Sequence, residues 1–182
     1  MHTMAQTPVP TILKFAESVR LTSPTLVADL RVRMSNFPVA NVPAKHRAAF
    51  ETKGIELWNL ATRHRRGLST EGHSDANELS KVALLRVYAF GMLESIAITR
   101  TKKNKREETC ERTLKLAFKC IEACIEAKEL EYAVRIGQSA ADWLDEGADV
   151  LSHDAKRQLD GEYLVWRIAL VSFISNRGKN WC

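Results

Sequence analysis

An all-α fold, built from antiparallel helix pairs stacked as a short α-solenoid, is what this chain predicts, on three observations. Apolar residues recur at spacings of three and four in nearly every segment, which is the period of a helix with one face buried. Gly and Pro are scarce, 8 and 5 in 182 residues, while strong helix formers such as Ala, Leu, Glu, Lys and Arg abound. Strand-like alternation is hard to find. With 45% apolar and 27% charged residues, the chain is also long enough to bury most of its apolar surface as one domain.

The elements follow in order. Residues 1–10 are polar, carry two prolines and read as a flexible leader to a helical-repeat domain over 11–175. Thr11–Leu21 has Ile12, Phe15, Ala16 and Val19 on one stripe. Ser23 and Pro24 supply an N-cap and a first-turn proline for a helix to Asn36, with Val27, Leu30 and Met34 in period. Pro38 and Pro43 bracket a linker, PVANVP. From Pro43 to Arg66 a long helix is expected, with Phe50, Gly54, Leu57, Trp58 and Ala61 on one side. Gly67 then reads as its stop. That would place Arg63, Arg65 and Arg66 in the last turn, where cations are favoured by the negative end of the helix dipole by about 0.3–1 kcal/mol each. The alternative is contact with a polyanion or an acidic partner.

Residues 67–76, GLSTEGHSDA, read as a loop. Ser74 or Asp75 caps a helix from Ala76 to Thr99 that is apolar nearly all round, and such a helix is buried on several sides by helices before and after it. The stretch RTKKNKR holds Arg100, Lys102, Lys103, Lys105 and Arg106. It reads as a solvated interhelix loop, or as a nuclear-import signal or phosphate-contacting patch.

The strongest organisational signal lies in 111–146. Cys110, Leu114, Ala117, Ile121 and Cys124 alternate at four and three, a break follows near Lys128, and Leu130, Ala133, Gly137, Ala140 and Leu144 repeat the spacing. Small residues at Ala133, Gly137 and Ala140 would let two helix backbones approach closely, as in one tetratricopeptide repeat of roughly 34 residues. Cys124 stands where that repeat prefers an aromatic residue, and no proline closes it. A further helix, Asp154–Ile174, would begin the next repeat. Its EYLVWRIALVSFIS stretch is apolar on too many faces for a free edge, so the chain is expected to be a truncated solenoid, or this helix to meet a partner or another copy of itself. Residues 176–182 show no helical period and read as an irregular tail.

Reactive chemistry finds little support. No GxGxxG, Walker, HExxH or GxSxG pattern occurs. Cys120 and Cys124 share a helix face without a neighbouring His, and read as core residues rather than zinc ligands. His2, His46, His64, His73 and His153 are scattered, and Asp142, Asp145 and Glu146 form an acidic helix end. Neither an enzyme nor a cofactor is expected. Four cysteines in no disulfide pattern suggest a reducing compartment. No secretory start or membrane span is expected. The net charge of +5, from 27 basic and 22 acidic residues, allows an acidic partner without requiring one.

Three motifs in order, GIELWNLATRHRR (54–66), KVALLRVYAFGMLESIA (81–97) and RTLKLAFKCIEACIEAKELEYAVRIGQSAADWL (112–144), resemble the N-terminal part of the fungal meiosis-specific sporulation proteins of the Zip/Spo tetratricopeptide family. The resemblance covers about 43–170. It implies a non-catalytic protein–protein scaffold of helical repeats in the nucleus, on chromosomes, acting in crossover formation and synaptonemal complex assembly. Its partners would be components of those assemblies. Family members are several times longer, so a truncated, non-functional fragment of such a scaffold is an alternative expectation. A nucleic-acid-binding helical module using the basic residues is the other.

Overall fold

In the computed structural model, which describes residues 9–35, 37–71, 75–101 and 107–178, the apolar periods become seven α-helices and, among the described residues, no strand. The helices fall into two units, Met1–Lys102 and Lys103–Cys182, where the sequence suggested one continuous domain. The division lies in the basic stretch, which has no apolar period with which to carry a core onward. Expectations for residues 1–8, 72–74, 102–106 and 179–182, including the basic run and most of the tail, lie outside the described residues.

The first unit contains α1 (Val9–Ser18), α2 (Leu26–Met34), α3 (Ala44–Glu71) and α4 (Ala76–Thr101). Asp75 is the cap of α4, accepting a hydrogen bond on Oδ1 from the Asn77 N–H at 3.2 Å. α3 and α4 run antiparallel. Gly54 faces Ala89 and Leu93, Trp58 lies under the Arg86 guanidinium, and His64 meets Glu78. The apolar side of α3 is as the sequence suggested, with Phe50, Leu57 and Ala61 buried. Gly54 lets the two helices approach closely there. A methyl group on it would sit 3.0 Å from the Leu93 side chain.

Gly67 does not stop α3, which continues to Glu71. The buried stripe gains Leu68, seven positions after Ala61, and burial of a leucine outweighs the roughly 1 kcal/mol that a helical glycine costs relative to alanine. Gly67 itself faces open space.

α4 is the core of the first unit. Leu84, Leu85, Tyr88, Ala89 and Met92 are fully enclosed. The helix is long and apolar enough to cross a membrane, but 83% of its apolar window is buried in the fold, as befits a core element. Its cover in this unit comes from elements that precede it: α2 and α3 pack against it, and so does the segment 37–42. The PVANVP linker is therefore a strap. The Val39 N–H donates to Ser95 Oγ at 2.8 Å, and the Val42 N–H to Thr99 Oγ1 at 3.1 Å. Those hydroxyls in turn donate to the Gly91 and Ser95 carbonyls of their own helix. Two hydroxyls one helical turn apart thus pair backbone N–H groups that burial would otherwise leave unsatisfied.

The second unit contains α5 (Glu107–Glu126), α6 (Leu130–Glu146) and α7 (His153–Gly178). The helical end of α7 takes in 176–178, which the sequence assigned to an irregular tail. The break between α5 and α6 is a left-handed cap centred on Lys128, φ 61°. The Glu129 N–H reaches the Cys124 carbonyl at 2.8 Å and the Lys128 N–H reaches the Ile125 carbonyl at 3.1 Å, the paired bonds of a Schellman motif. A side chain in that conformation costs about 1–2 kcal/mol that glycine avoids. Lys128→Gly is therefore expected to raise the stability of the second unit by about 1 kcal/mol, read as a higher urea midpoint at unchanged slope. At the start of α7, the Ser152 N–H donates to Glu107 Oε1 at 2.8 Å. Hydrogen bonding to Ser152 holds the Glu107 carboxyl below its usual range.

Candidate interaction surface

The surface that stands out is on α7, which packs against both α5 and α6. One stripe faces inward: Leu159, Tyr163, Trp166, Leu170 and Phe173, at alternating spacings of four and three, with Leu159 and Leu170 buried. A second stripe faces out, with Leu164 54%, Val165 63%, Ile168 66% and Val171 62% exposed. Large apolar side chains at i, i+1, i+4 and i+7 fall on one side of a helix. A contiguous patch of this kind marks an interaction site more often than a scatter of single residues does. The sequence marks the whole stretch as too apolar for a free edge. It does not assign residues to the outer face, because both stripes have helical period.

The six repeat-packing positions are all interior. Leu114, Ala117, Ile121, Ala133 and Ala140 are fully buried, and Gly137 is buried as well. The role expected of Gly137 is different in the structure. A methyl group there would meet only Leu170 Cδ1, from α7, at 3.8 Å, an ordinary contact. This glycine is not where two backbones are pressed together. Cys110, Cys120 and Cys124 are buried thiols among these side chains, in keeping with their reading as core residues. Among the described residues, no group of three or more His, Cys, Asp or Glu is placed to hold a metal ion.

Of the basic residues, Arg63 and Arg66 are exposed and Arg65 is half-buried. Arg65 Nη1 donates to Ser69 Oγ at 2.8 Å. Because α3 runs on to Glu71, Arg63, Arg65 and Arg66 do not occupy the final turn, and the dipole effect fades beyond that turn. The helix-end explanation for these cations is thus corrected. They lie beside the N-terminal end of α4, where His64 meets Glu78, whereas Arg100 is at its other end. At about 1.5 Å per residue, roughly 33 Å of helix separates the level of Glu78 from Arg100. Lys102, Lys103, Lys105 and Arg106 lie outside the described residues.

Two further features surround the opening motif of the resemblance. The Arg86 guanidinium lies 5.7 Å from the Trp58 ring centroid, and its buried Nε has no hydrogen-bond partner among the described residues. Glu78 is held between Lys81 Nζ at 2.6 Å and His64 Nε2 at 2.7 Å. The Lys81 hydrogen bond, and then that of His64, keep the Glu78 carboxyl below its ordinary 4.5 against the opposing effect of burial. A depressed native value means that the unfolded chain binds the proton more readily. This contribution is fully present above about pH 4.5 and is lost as pH falls through the lower native value. Glu78→Gln is expected to lower stability at neutral pH and to flatten its fall on acidification. Urea midpoints measured for both proteins from neutral pH into the acid range check this.

Compared with protein-family models, with curated proteins and with solved structures, the chain matches none.

Proposed function

We propose that the protein is a non-catalytic interaction scaffold, a helical platform whose α7 face is a protein-docking surface. The observation that carries this reading is the outer stripe of α7, four large apolar side chains more than half exposed on a well-packed helix. Leaving such surface in water forgoes roughly 25 cal/mol per Å² that burial in an interface would return. A tetratricopeptide-like stacking of the second unit is part of the proposal. What supports it is that α5 and α6 form a hairpin and α7 lies across both, the place that the first helix of a following repeat takes. Meiotic chromosomes as the setting, and crossover or synaptonemal complex components as partners, are supported by the order of the three sequence motifs.

The experiment is retention of proteins from nuclear extract of fungal cells in meiosis on the immobilised chain, with quantitative mass spectrometry. The expected result is recovery of crossover or synaptonemal complex proteins by the native chain and their loss on Ile168→Glu. Recovery of none, or recovery indifferent to Ile168→Glu, overturns the reading.

A further inference from the structure

Resting on that scaffold reading, we infer that the partner seated on the outer stripe of α7 is a second copy of the same helix, antiparallel and two-fold symmetric about Ile168. Successive residues of a helix are about 100° apart, so Gly161, Leu164, Val165, Ile168, Val171, Ser172 and Ser175 form one stripe centred on Ile168. All seven are exposed. A two-fold contact must be self-complementary, because the same patch serves both copies. This stripe is.

Antiparallel pairing about Ile168 sets Leu164 opposite Ser172, a large side chain against a small one. It sets Val165 opposite Val171, and Gly161 opposite Ser175, two small residues at each end. Ile168 meets itself at the axis. No charged residue interrupts the stripe between Arg157 and Ser175, so the pairing brings no like charges together inside it. A parallel pairing would instead stack Leu164 on Leu164 and leave the small residues facing each other across a gap.

Gly161 supplies an independent observation. It is exposed inside α7, and a methyl group added to it would meet nothing within 4 Å. A glycine in a helix interior costs about 1 kcal/mol relative to alanine, and nothing among the described residues uses the space it leaves. A facing helix does.

The area sets the class of contact. The stripe offers on the order of 500 Å² per copy, or about 1,000 Å² in total, the lower limit for a specific interface. The contact therefore belongs to the weak, reversible class of interfaces.

Sedimentation equilibrium on the purified chain, from roughly 1 to 300 μM, tests this. A reversible monomer–dimer equilibrium is expected, with Ile168→Glu monomeric throughout. Because Ile168 is 66% exposed, that variant should keep its far-UV spectrum and, at concentrations where the native chain is monomeric, its melting temperature, which separates lost pairing from lost folding. Orientation is read with a short bismaleimide on Ile168→Cys and on Asp154→Cys, each in a Cys182→Ser background. The thiols of Cys110, Cys120 and Cys124 are shielded by burial. Ile168→Cys should cross-link to dimer. Asp154→Cys should not, since antiparallel pairing holds its two copies roughly 40 Å apart.

Cross-linking of both variants means a parallel pair, and of neither means no pairing through this face. Either result, or a chain monomeric across the range, overturns the inference. No other protein is present, so the outcome is independent of the extract experiment. A monomeric chain that still retains extract proteins through Ile168 removes the dimer and leaves the scaffold. A dimer that retains none does the reverse.

Discussion

Tyr88→Ala is expected to cost the first unit about 3–5 kcal/mol, the range for deleting a large buried aromatic ring. Ordinary domains have about 5–15 kcal/mol in all, so much of this unit's stability would go. The physical reason is the number of elements that this side chain joins. Tyr88 is fully buried on α4. Its ring meets Phe15 of α1 edge-on at 5.3 Å between centroids and Phe37 of the strap at 4.9 Å. Its hydroxyl donates to the Ile12 carbonyl at 3.2 Å.

Burial pushes the phenol above its ordinary range, with Arg33 pulling the other way, so it remains a hydrogen-bond donor. Tyr88→Phe keeps the ring and should cost only about 1 kcal/mol, the worth of one neutral hydrogen bond. Amide exchange followed by mass spectrometry on peptides from α1, the strap and α4 is the measurement. Protection should collapse together in Tyr88→Ala. Equal effects from the two substitutions would show that the ring contacts do not hold these elements together.

The second large effect is expected from Gly91→Ala, and its sign is the informative part. Alanine in place of glycine ordinarily stabilises a helix by roughly 1 kcal/mol. Here the added methyl carbon would lie 2.6 Å from Phe37 Cγ and 2.9 Å from Phe37 Cβ and Cδ1. Phe37 has little freedom to yield. Tyr88 bounds its ring, and the chain just after it is tied to Ser95 and Thr99. Overpacking of this kind costs about 1–3 kcal/mol.

The expected result is a lower urea midpoint for Gly91→Ala. In a Phe37→Gly background, which removes Cβ together with the ring, the same substitution should become neutral or stabilising. That reversal is a coupling energy between two residues far apart in sequence, which only contact can produce. A stabilising Gly91→Ala in the otherwise native chain would mean that the strap does not press on α4.

Much of the interior of both units is legible in the sequence. Spacing alone marks Ile12 and Ala16, Leu30 and Met34, Phe50 and Ala61, and Leu114 and Ile121 as interior, and all are buried. Their helices stand within a few residues of the expected bounds, and Asp75 caps α4 as one of the two candidates. The errors are at punctuation. Gly67 reads as a stop because glycine usually is one; Leu68, finding the core, overrules it. Lys128 shows the opposite case, a left-handed cap made by a residue that rarely adopts it, with only a lapse in the apolar period to mark it. Ser95 and Thr99 give no signal inside an apolar helix, since their partners, Val39 and Val42, lie more than fifty residues away. The basic residues are recognisable as cations but not as a site.

The sequence by itself determined that the chain is helical, where most helices run, and which side of most of them is apolar. Those properties depend on side chains three and four residues apart, and a helix expresses them locally. Tertiary structure alone decided that the chain forms two units, that a proline-bracketed linker straps α4, that Gly91 must lack a side chain, and which of two apolar stripes on α7 the fold leaves uncovered. Each of these depends on which surfaces meet across long separations in sequence, and helical period carries no information about that.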